Sequence, residues 1–100
     1  MVNSLDQLRV LVIDDNEGMR KIVATILQGS GIRDVRQAAN GEQAMMVIDR
    51  WMPDVAFVDY QMEPLNGLEL VRELRASTSM KERFLPVIML TGHALSLIHI

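Results

Sequence analysis

The stretch Asp54-Val-Ala-Phe-Val-Asp59-Tyr-Gln-Met62 decides the fold, because it predicts a buried strand that ends in a carboxylate. Its centre, Val55 to Val58, is a short apolar run rich in β-forming residues. Pro53 precedes the run and a turn-prone segment, residues 63–67, follows it. Such a run is typical of a strand that is covered on both faces. We therefore expect Asp59 at the carboxyl end of a parallel strand, where open α/β sheets bind their ligands.

Two further apolar runs end in polar side chains in the same way. The run from Arg9 to Ile13 is followed by Asp14 and Asp15, and the run from Pro86 to Leu90 is followed by Thr91. Because parallel strands end at one edge of a sheet, three carboxylates and a hydroxyl should meet there. Clustered carboxylates repel one another, and Mg²⁺, which prefers oxygen ligands, relieves that repulsion. The Asp-Asp-Asn triplet is also compatible with ordinary helix capping.

Helical patterns fill the segments between the strands. Asn16, Asn40 and Asn66 stand where helix N-caps are expected, and Pro53 stops the second helix. A weaker strand is predicted over residues 34–39. The spacing of apolar residues predicts a buried stripe on the first helix, formed by Met19, Ile22, Val23, Ile26 and Leu27. Strands that alternate with helices predict an α/β fold, a doubly wound parallel sheet with helices on both faces.

The composition excludes several classes of protein. The 100 residues are 49% hydrophobic and carry a net charge of −3, which fits one compact domain, or part of one, with no basic surface for nucleic acid. The absence of cysteine removes disulfides and thiolate metal sites. The chain has neither a signal peptide pattern nor a long apolar run, so we expect a cytoplasmic protein that does not bind membranes.

Taken together, the motifs resemble one family. The chain is similar to the receiver domain of two-component response regulators, with a flavodoxin-like, chemotaxis-regulator-like fold. The resemblance covers Arg9 to about Ala94. It rests on Val-Ile-Asp14-Asp15-Asn, on Phe-Val-Asp59-Tyr-Gln-Met-Glu-Pro-Leu-Asn-Gly, and on Pro-Val-Ile-Met-Leu-Thr91-Gly-His-Ala. Each motif alone is a weak signal, whereas all three in this order and spacing are a strong one.

The resemblance implies a phosphorylation-dependent signalling switch rather than a metabolic enzyme. Asp59 falls on the phosphoacceptor position, which takes a phosphoryl group from a sensor histidine kinase or a histidine phosphotransfer protein. Asp14 and Asp15 fall on the acidic pair that holds Mg²⁺ together with Asp59. The main-chain carbonyl of Gln61 falls on a further metal ligand.

The resemblance also implies roles for residues beside the acceptor. Thr91 falls on the switch hydroxyl, which turns toward the phosphoryl group and moves the neighbouring loop. Gln61 and His93 lie where the family tunes the rate of dephosphorylation. A histidine at this position is more often a plain loop residue than a metal ligand.

The chain departs from the family pattern after the fourth strand. The family continues with a fourth helix, a fifth strand carrying a lysine, and a closing helix, and none of these three elements is predicted here. Residues 95–100 instead match the translation of a transposon-end adapter used in preparing sequencing libraries. We therefore expect a truncated receiver domain over residues 1–94 and a non-native tail over residues 95–100. We also expect an exposed edge at the fourth strand, a first helix that lacks a packing neighbour, and poor stability or aggregation.

Two other functions stay open from the residues alone. A Mg²⁺ phosphatase of the haloacid dehalogenase type also attacks from an aspartate at a strand end. That family has a second aspartate two residues after the nucleophile, where this chain has Gln61. A pseudo-receiver that only binds a protein partner is the other alternative. Gln61 argues against the phosphatase, and the complete set of Asp14, Asp15 and Asp59 argues against the pseudo-receiver.

Overall fold

The structure, a computed structural model, describes residues 4–62, 65–76, 85–90 and 95–98. A short 3₁₀ turn, Ser4–Gln7, precedes the first strand. The elements that follow it in chain order are β1 (Arg9–Ile13), α1 (Glu17–Gly29), β2 (Asp34–Ala38), α2 (Gly41–Trp51), β3 (Val55–Asp59), α3 (Gly67–Ala76), β4 (Val87–Leu90) and β5 (Leu95–Ile98).

The strands form one sheet in the order β2-β1-β3-β4-β5, and the first four of these are parallel. β1 and β3 are neighbours in register, with Ile13 opposite Val58. Two apolar clusters cover the two faces of the sheet. The larger one, with Leu11 and Val58, contains residues of α2 and α3, and the smaller one, with Val10 and Val12, contains residues of α1. The predicted α/β fold with a doubly wound parallel sheet is confirmed.

The fifth strand differs from the expectation. β5 pairs antiparallel with β4, with Val87 opposite Ile98 and Leu90 opposite Leu95. The prediction that β4 presents an exposed edge is therefore wrong in the part of the chain that the structure describes. An unpaired strand edge offers a row of free N–H and C=O groups to any extended segment that follows. Residues 95–98 pair with that edge of β4. This pairing does not depend on where the sequence of that segment came from.

Asparagine side chains start the three helices, as the sequence predicts. Asn16 accepts from the N–H of Met19 at 3.0 Å, and Asn40 accepts from the N–H of Gln43 at 2.9 Å. At α3 the cap is reciprocal: Asn66 accepts from the N–H of Glu69 at 2.9 Å, and Glu69 accepts from the N–H of Asn66 at 3.0 Å. Among the described helices, none is long and apolar enough to cross a membrane.

The outer half of the α1 stripe is exposed, as expected for a first helix that lacks a packing neighbour. Met19, Ile22 and Ile26 are 47%, 53% and 62% exposed. Val23 and Leu27, on the other side of the stripe, pack against the smaller cluster under the sheet. The stripe is wider than the sheet surface beneath it, so a periodic pattern identified an apolar face without showing how much of that face finds a neighbour.

This difference between neighbouring residues gives a direct test of the α1 orientation. We expect Ile26→Lys to change the free energy of unfolding by less than about 0.5 kcal/mol and to reduce self-association, because the side chain already lies in solvent. Leu27→Lys should lower that free energy by about 3 kcal/mol, since it places a charge in an apolar cluster. Urea unfolding and light scattering measure the two effects. Equal destabilisation by both substitutions would contradict this orientation of α1.

Candidate functional site

Three carboxylates meet at the carboxyl edge of the sheet, as the strand ends predict. Asp14 and Asp15 follow β1, and Asp59 is the last residue of β3. One oxygen from each side chain lies within 4.8 Å of the other two. Asp14 is buried, Asp59 is half-buried and Asp15 is exposed. The cluster therefore has a closed side against the sheet and an open side toward solvent.

Asp14 is held more firmly than an ordinary loop carboxylate. Its N–H donates to the carbonyl of Ala38 on β2 at 3.1 Å, and its Oδ1 accepts from the N–H of Asn16 at 2.9 Å. The side chain is only 3% exposed. Burial raises the pKa of Asp14 above its ordinary value of 3.8, and the nearby charges of Asp59 and Asp15 raise it further, against the lowering effect of the Asn16 N–H.

Arg20, which no sequence motif singles out, supports the loop after β1. Arg20 Nη1 donates to the main-chain carbonyl of Asp14 at 2.7 Å, while the Arg20 N–H donates to the carbonyl of Asn16 at 3.0 Å. The first turn of α1 is thus tied to the residue that ends β1. A charged residue near the start of a helix is commonplace, so the sequence carried no signal for this contact.

The acceptor loop after β3 is fixed by main-chain hydrogen bonds. The N–H of Tyr60 donates to the carbonyl of Leu90 on β4 at 2.9 Å. The carbonyl of Tyr60 accepts from the N–H of Gly67, the first residue of α3, at 2.8 Å. Asp59 Oδ1 accepts a longer bond, 3.3 Å, from the N–H of Gln61. The backbone around Asp59 is therefore held by β4 and α3, whereas its carboxylate makes only one weak local bond among these.

Gly67 lies against the acceptor loop with no room for a side chain. A Cβ at this position would lie 2.5 Å from the carbonyl oxygen of Asp59, 2.6 Å from Met89 Sδ and 2.9 Å from the Cα of Tyr60. Two of these three atoms belong to backbone that cannot move independently of Asp59. Glycine is required here by close approach rather than by an unusual backbone angle.

Two of the predicted site residues cannot be placed. Thr91 and His93 lie outside the residues that the structure describes, so their roles stay predictions. Gln61 is described and exposed, and its N–H contacts Asp59. The assignment of its carbonyl as a metal ligand stays a prediction as well.

The donor set fits a hard divalent cation. Three carboxylates with oxygens within 4.8 Å of one another match the preference of Mg²⁺ for a few oxygen ligands and several retained waters. Burial and repulsion from the neighbouring carboxylates both raise the pKa of Asp14, because both disfavour its charged form. A bound cation offsets both effects. The exposed position of Asp15 leaves room for water on the open side.

Comparison with known proteins identifies relatives of this site and fold. The family model described as "Response regulator receiver domain" matches residues 10–97. Chemotaxis protein CheY1 of Helicobacter pylori strain J99 is 36% identical over 85 residues, which are 84% of this chain and 67% of that protein. A protein-glutamate methylesterase/protein-glutamine glutaminase of Haloarcula marismortui is 36% identical over 88 residues. The chain spans only 22% of the length of that enzyme.

A solved structure shows the same architecture. The crystal structure of a mutant receiver domain of the histidine kinase CKI1 from Arabidopsis thaliana superposes with a TM-score of 0.78 and 29% identity. The match covers 91% of this chain and 69% of that chain.

The close approach at Gly67 predicts a large effect of a single methyl group. We expect Gly67→Ala to lower the free energy of unfolding by about 1–3 kcal/mol, because α3 must move away from Asp59 and Tyr60. Gly29→Ala, at the end of α1, is the matched control, since nothing lies within 4 Å of its Cβ position. It should be neutral or stabilising by up to about 1 kcal/mol. Similar losses in urea unfolding for both variants would refute the packing at Gly67.

The raised pKa of Asp14 predicts that this carboxylate destabilises the fold in metal-free buffer. Because the folded pKa lies above the ordinary value of 3.8, the unfavourable contribution grows as the pH rises past that value and is complete above the folded pKa. Asp14→Asn keeps an oxygen for the Asn16 N–H and removes the charge. The variant should therefore be more stable than the parent near about pH 7, with the difference fading below the ordinary carboxyl pKa.

Thermal unfolding across this pH range measures the effect. Asp49→Asn, which removes an exposed carboxylate on α2, is the control and should show little change. Added Mg²⁺ should stabilise the parent and not Asp14→Asn. A constant difference between Asp14→Asn and the parent at all pH values would contradict the assignment.

Proposed function

Because the chain belongs to the response regulator receiver domain family of two-component systems, we propose that it is a phosphorylation-dependent switch with Asp59 as the phosphoacceptor. The donor is the phosphohistidine of a sensor histidine kinase or of a histidine phosphotransfer protein. The observation that carries the proposal is the cluster of Asp14, Asp15 and Asp59 at the carboxyl edge of the sheet.

The three carboxylates differ in ways that suit different roles. Asp14 is buried and tied to Asn16, so it is poorly placed to meet a second protein. Asp59 is half-buried, its backbone is held through Tyr60, and its Oδ1 accepts a 3.3 Å bond from the N–H of Gln61. This combination of a fixed backbone and an accessible carboxylate is what an attacking nucleophile requires.

The phosphoryl group moves from a histidine nitrogen of the partner to Asp59 in one displacement. A carboxylate oxygen of Asp59 forms a bond to phosphorus while the bond between phosphorus and the partner's histidine nitrogen breaks. The nitrogen keeps the electron pair of that bond and takes up a proton. Hydrolysis later returns the carboxylate, with water as the nucleophile.

A metal ion belongs to this proposal. Asp14, Asp15, Asp59 and the main-chain carbonyl of Gln61 would hold Mg²⁺, which when bound offsets the negative charge of the transferring phosphoryl group. Asp59 would supply the nucleophile. Arg20 would hold the loop after β1, because its Nη1 donates to the Asp14 carbonyl at 2.7 Å.

Further roles are carried over from the family to this chain. We assign Thr91 as the hydroxyl that responds to phosphorylation, and Gln61 and His93 as the residues that set the lifetime of the phosphorylated state. The chain acts as a signalling domain in the cytoplasm and catalyses only its own phosphorylation and dephosphorylation. No nucleic acid or membrane contact is assigned to it.

The division of the chain into residues 1–94 as receiver domain and residues 95–100 as adapter-derived sequence is also a proposal. Its support is the match between those six residues and the adapter translation. Reading the source DNA tests it, since a genomic read that confirms the six codons would remove the idea.

Two alternatives predict different chemistry. A haloacid-dehalogenase-like phosphatase would turn over phosphate esters, although Gln61 stands where that reaction needs an aspartate. A pseudo-receiver would bind a partner without being phosphorylated. The esterase and glutaminase named for the Haloarcula relative describe a protein of which this chain spans 22%, so they are not assigned here.

Acetyl phosphate with Mg²⁺ separates these functions. We expect intact-mass spectrometry to show the addition of one phosphoryl group to the parent chain and none to Asp59→Asn, because Asp59 combines a place in the carboxylate cluster with a backbone held by β4 and α3. Asp49→Asn, which removes an exposed carboxylate elsewhere, is the matched control and should still be phosphorylated.

The other outcomes decide between the alternatives. Steady release of phosphate from an ester such as p-nitrophenyl phosphate would replace the switch with a phosphatase. No mass gain and no turnover, in a chain that binds Mg²⁺ and unfolds cooperatively, would leave the pseudo-receiver. A mass gain that persists in Asp59→Asn would move the acceptor to another residue.

A further inference from the structure

A cavity of about 420 Å³ lies between the start of α2, the acceptor loop and α3. Its apolar wall includes Met45 of α2, Met62 after β3, and Leu65 and Leu70 around the start of α3. This volume is within the range of about 300–1,000 Å³ that small-molecule sites occupy. The cavity is separate from the carboxylate cluster, since it contains none of the three aspartates.

Two methionine side chains form part of the cavity wall. Met62 is 7% exposed and belongs to the main core cluster, while Met45 packs against that cluster from α2. Methionine side chains are unbranched and polarizable, and they rearrange around apolar groups of different shapes. Behind them, Leu70 is 3% exposed and gives the cavity a fixed floor.

Two carboxylates line the same cavity. Glu42, in the first turn of α2, and Glu73, on α3, are both exposed and both line it. Within the described part of the chain, the salt bridge between Lys21 and Glu17 lies on α1, and neither Glu42 nor Glu73 has a cationic partner. An apolar wall with two carboxylates is complementary to a molecule that combines an apolar body with a positive charge.

We propose that this cavity is a binding site for a small amphiphilic cation, an amine with an apolar body. The body contacts Met45, Met62 and Leu70, and the ammonium group lies near Glu42 and Glu73. Binding removes apolar surface from water, and the two carboxylates determine the preferred charge.

The site is mechanically connected to the acceptor loop. Met62 is three residues after Asp59, and α3 begins at Gly67, whose N–H donates to the carbonyl of Tyr60 at 2.8 Å. A guest that changes the separation of α2 and α3 therefore acts on the backbone that carries Asp59. This regulatory consequence rests on the proposed function, whereas the binding itself does not.

A matched series of probes tests the charge preference. Octylammonium, 1-octanol and octanoate share one apolar body and differ in charge. We expect titration of the isotope-labelled chain, followed by amide chemical shifts, to give the tightest binding for octylammonium. The expected preference over octanol is about fivefold, which is the size of one partly exposed ion pair, and it should shrink at high salt. The shifts should concentrate at residues 39–45, at Met62 and Leu65, and at residues 70–74.

Paired variants locate the site. Met45→Trp should fill the cavity and weaken binding of all three probes, whereas Met46→Trp, at a neighbouring residue that is 54% exposed, should not. Glu42→Gln combined with Glu73→Gln should leave octanol binding unchanged and remove the advantage of octylammonium. Asp49→Asn, which deletes an exposed carboxylate of α2 outside the cavity lining, should keep that advantage.

Several results would overturn the proposal. Shifts centred on the exposed α1 residues Met19, Ile22 and Ile26 would mean that the probes bind a different apolar surface. Equal affinities for the three probes would remove the role of the carboxylates, and no saturable shifts would remove the site. Saturable binding at the cavity that leaves Mg²⁺ affinity and the phosphorylation rate unchanged would remove the regulatory consequence alone. Failure of phosphorylation with intact binding would count against the proposed function and not against this site.

Discussion

The register between β1 and β3 is the constraint on which the site depends. Ile13, the last residue of β1, lies opposite Val58 of β3. The residues that follow them are Asp14 and Asp59, so the two aspartates come at the same level of the sheet. Side chains of one strand alternate between the two faces, and a slip of one residue would exchange those faces. Ala56 and Val58 belong to the larger core cluster, while Val55 and Phe57 pack against the smaller one. The packing of both faces therefore fixes the distance between Asp14 and Asp59.

The same register brings negative charges together at the carboxyl edge of the sheet, where the carboxylates repel one another. A parallel sheet with both faces covered brings Asp14 into a position where it is 3% exposed and beside two other carboxylates. The surrounding backbone limits the cost by supplying the Asn16 N–H as a donor and by tying the Asp14 carbonyl to Arg20. Such an arrangement disfavours the charged form of Asp14, and a bound cation would offset the repulsion among the three carboxylates.

Much of the fold could be predicted because local signals and burial agree. β1, β3 and β4 are apolar runs with clear boundaries. Asn16, Asn40 and Asn66 cap their helices through side-chain oxygens at short range. The meeting of three aspartates followed from the parallel topology alone. Periodicity alone could not predict that the outer stripe of α1 is exposed, because it reports which residues share a face and not the width of the surface that covers it. β5 was missed for a related reason: its pairing depends on the open edge of β4 and not on a pattern within residues 95–98.

The contacts that sequence could not reveal are those that join elements distant in the chain. Gly67 looks like an ordinary residue after a helix cap, yet its missing side chain allows α3 to touch the backbone of Asp59 and Tyr60. That contact makes α3 part of the acceptor loop's support, and α3 also forms one wall of the cavity that begins at Met62. Close-packed elements move as units and not by gradual deformation, so α3 is the element through which the proposed coupling would pass. Its first residue lies against the main chain of Asp59, and its later residues line the cavity, so the coupling would need no chain of intermediate side chains.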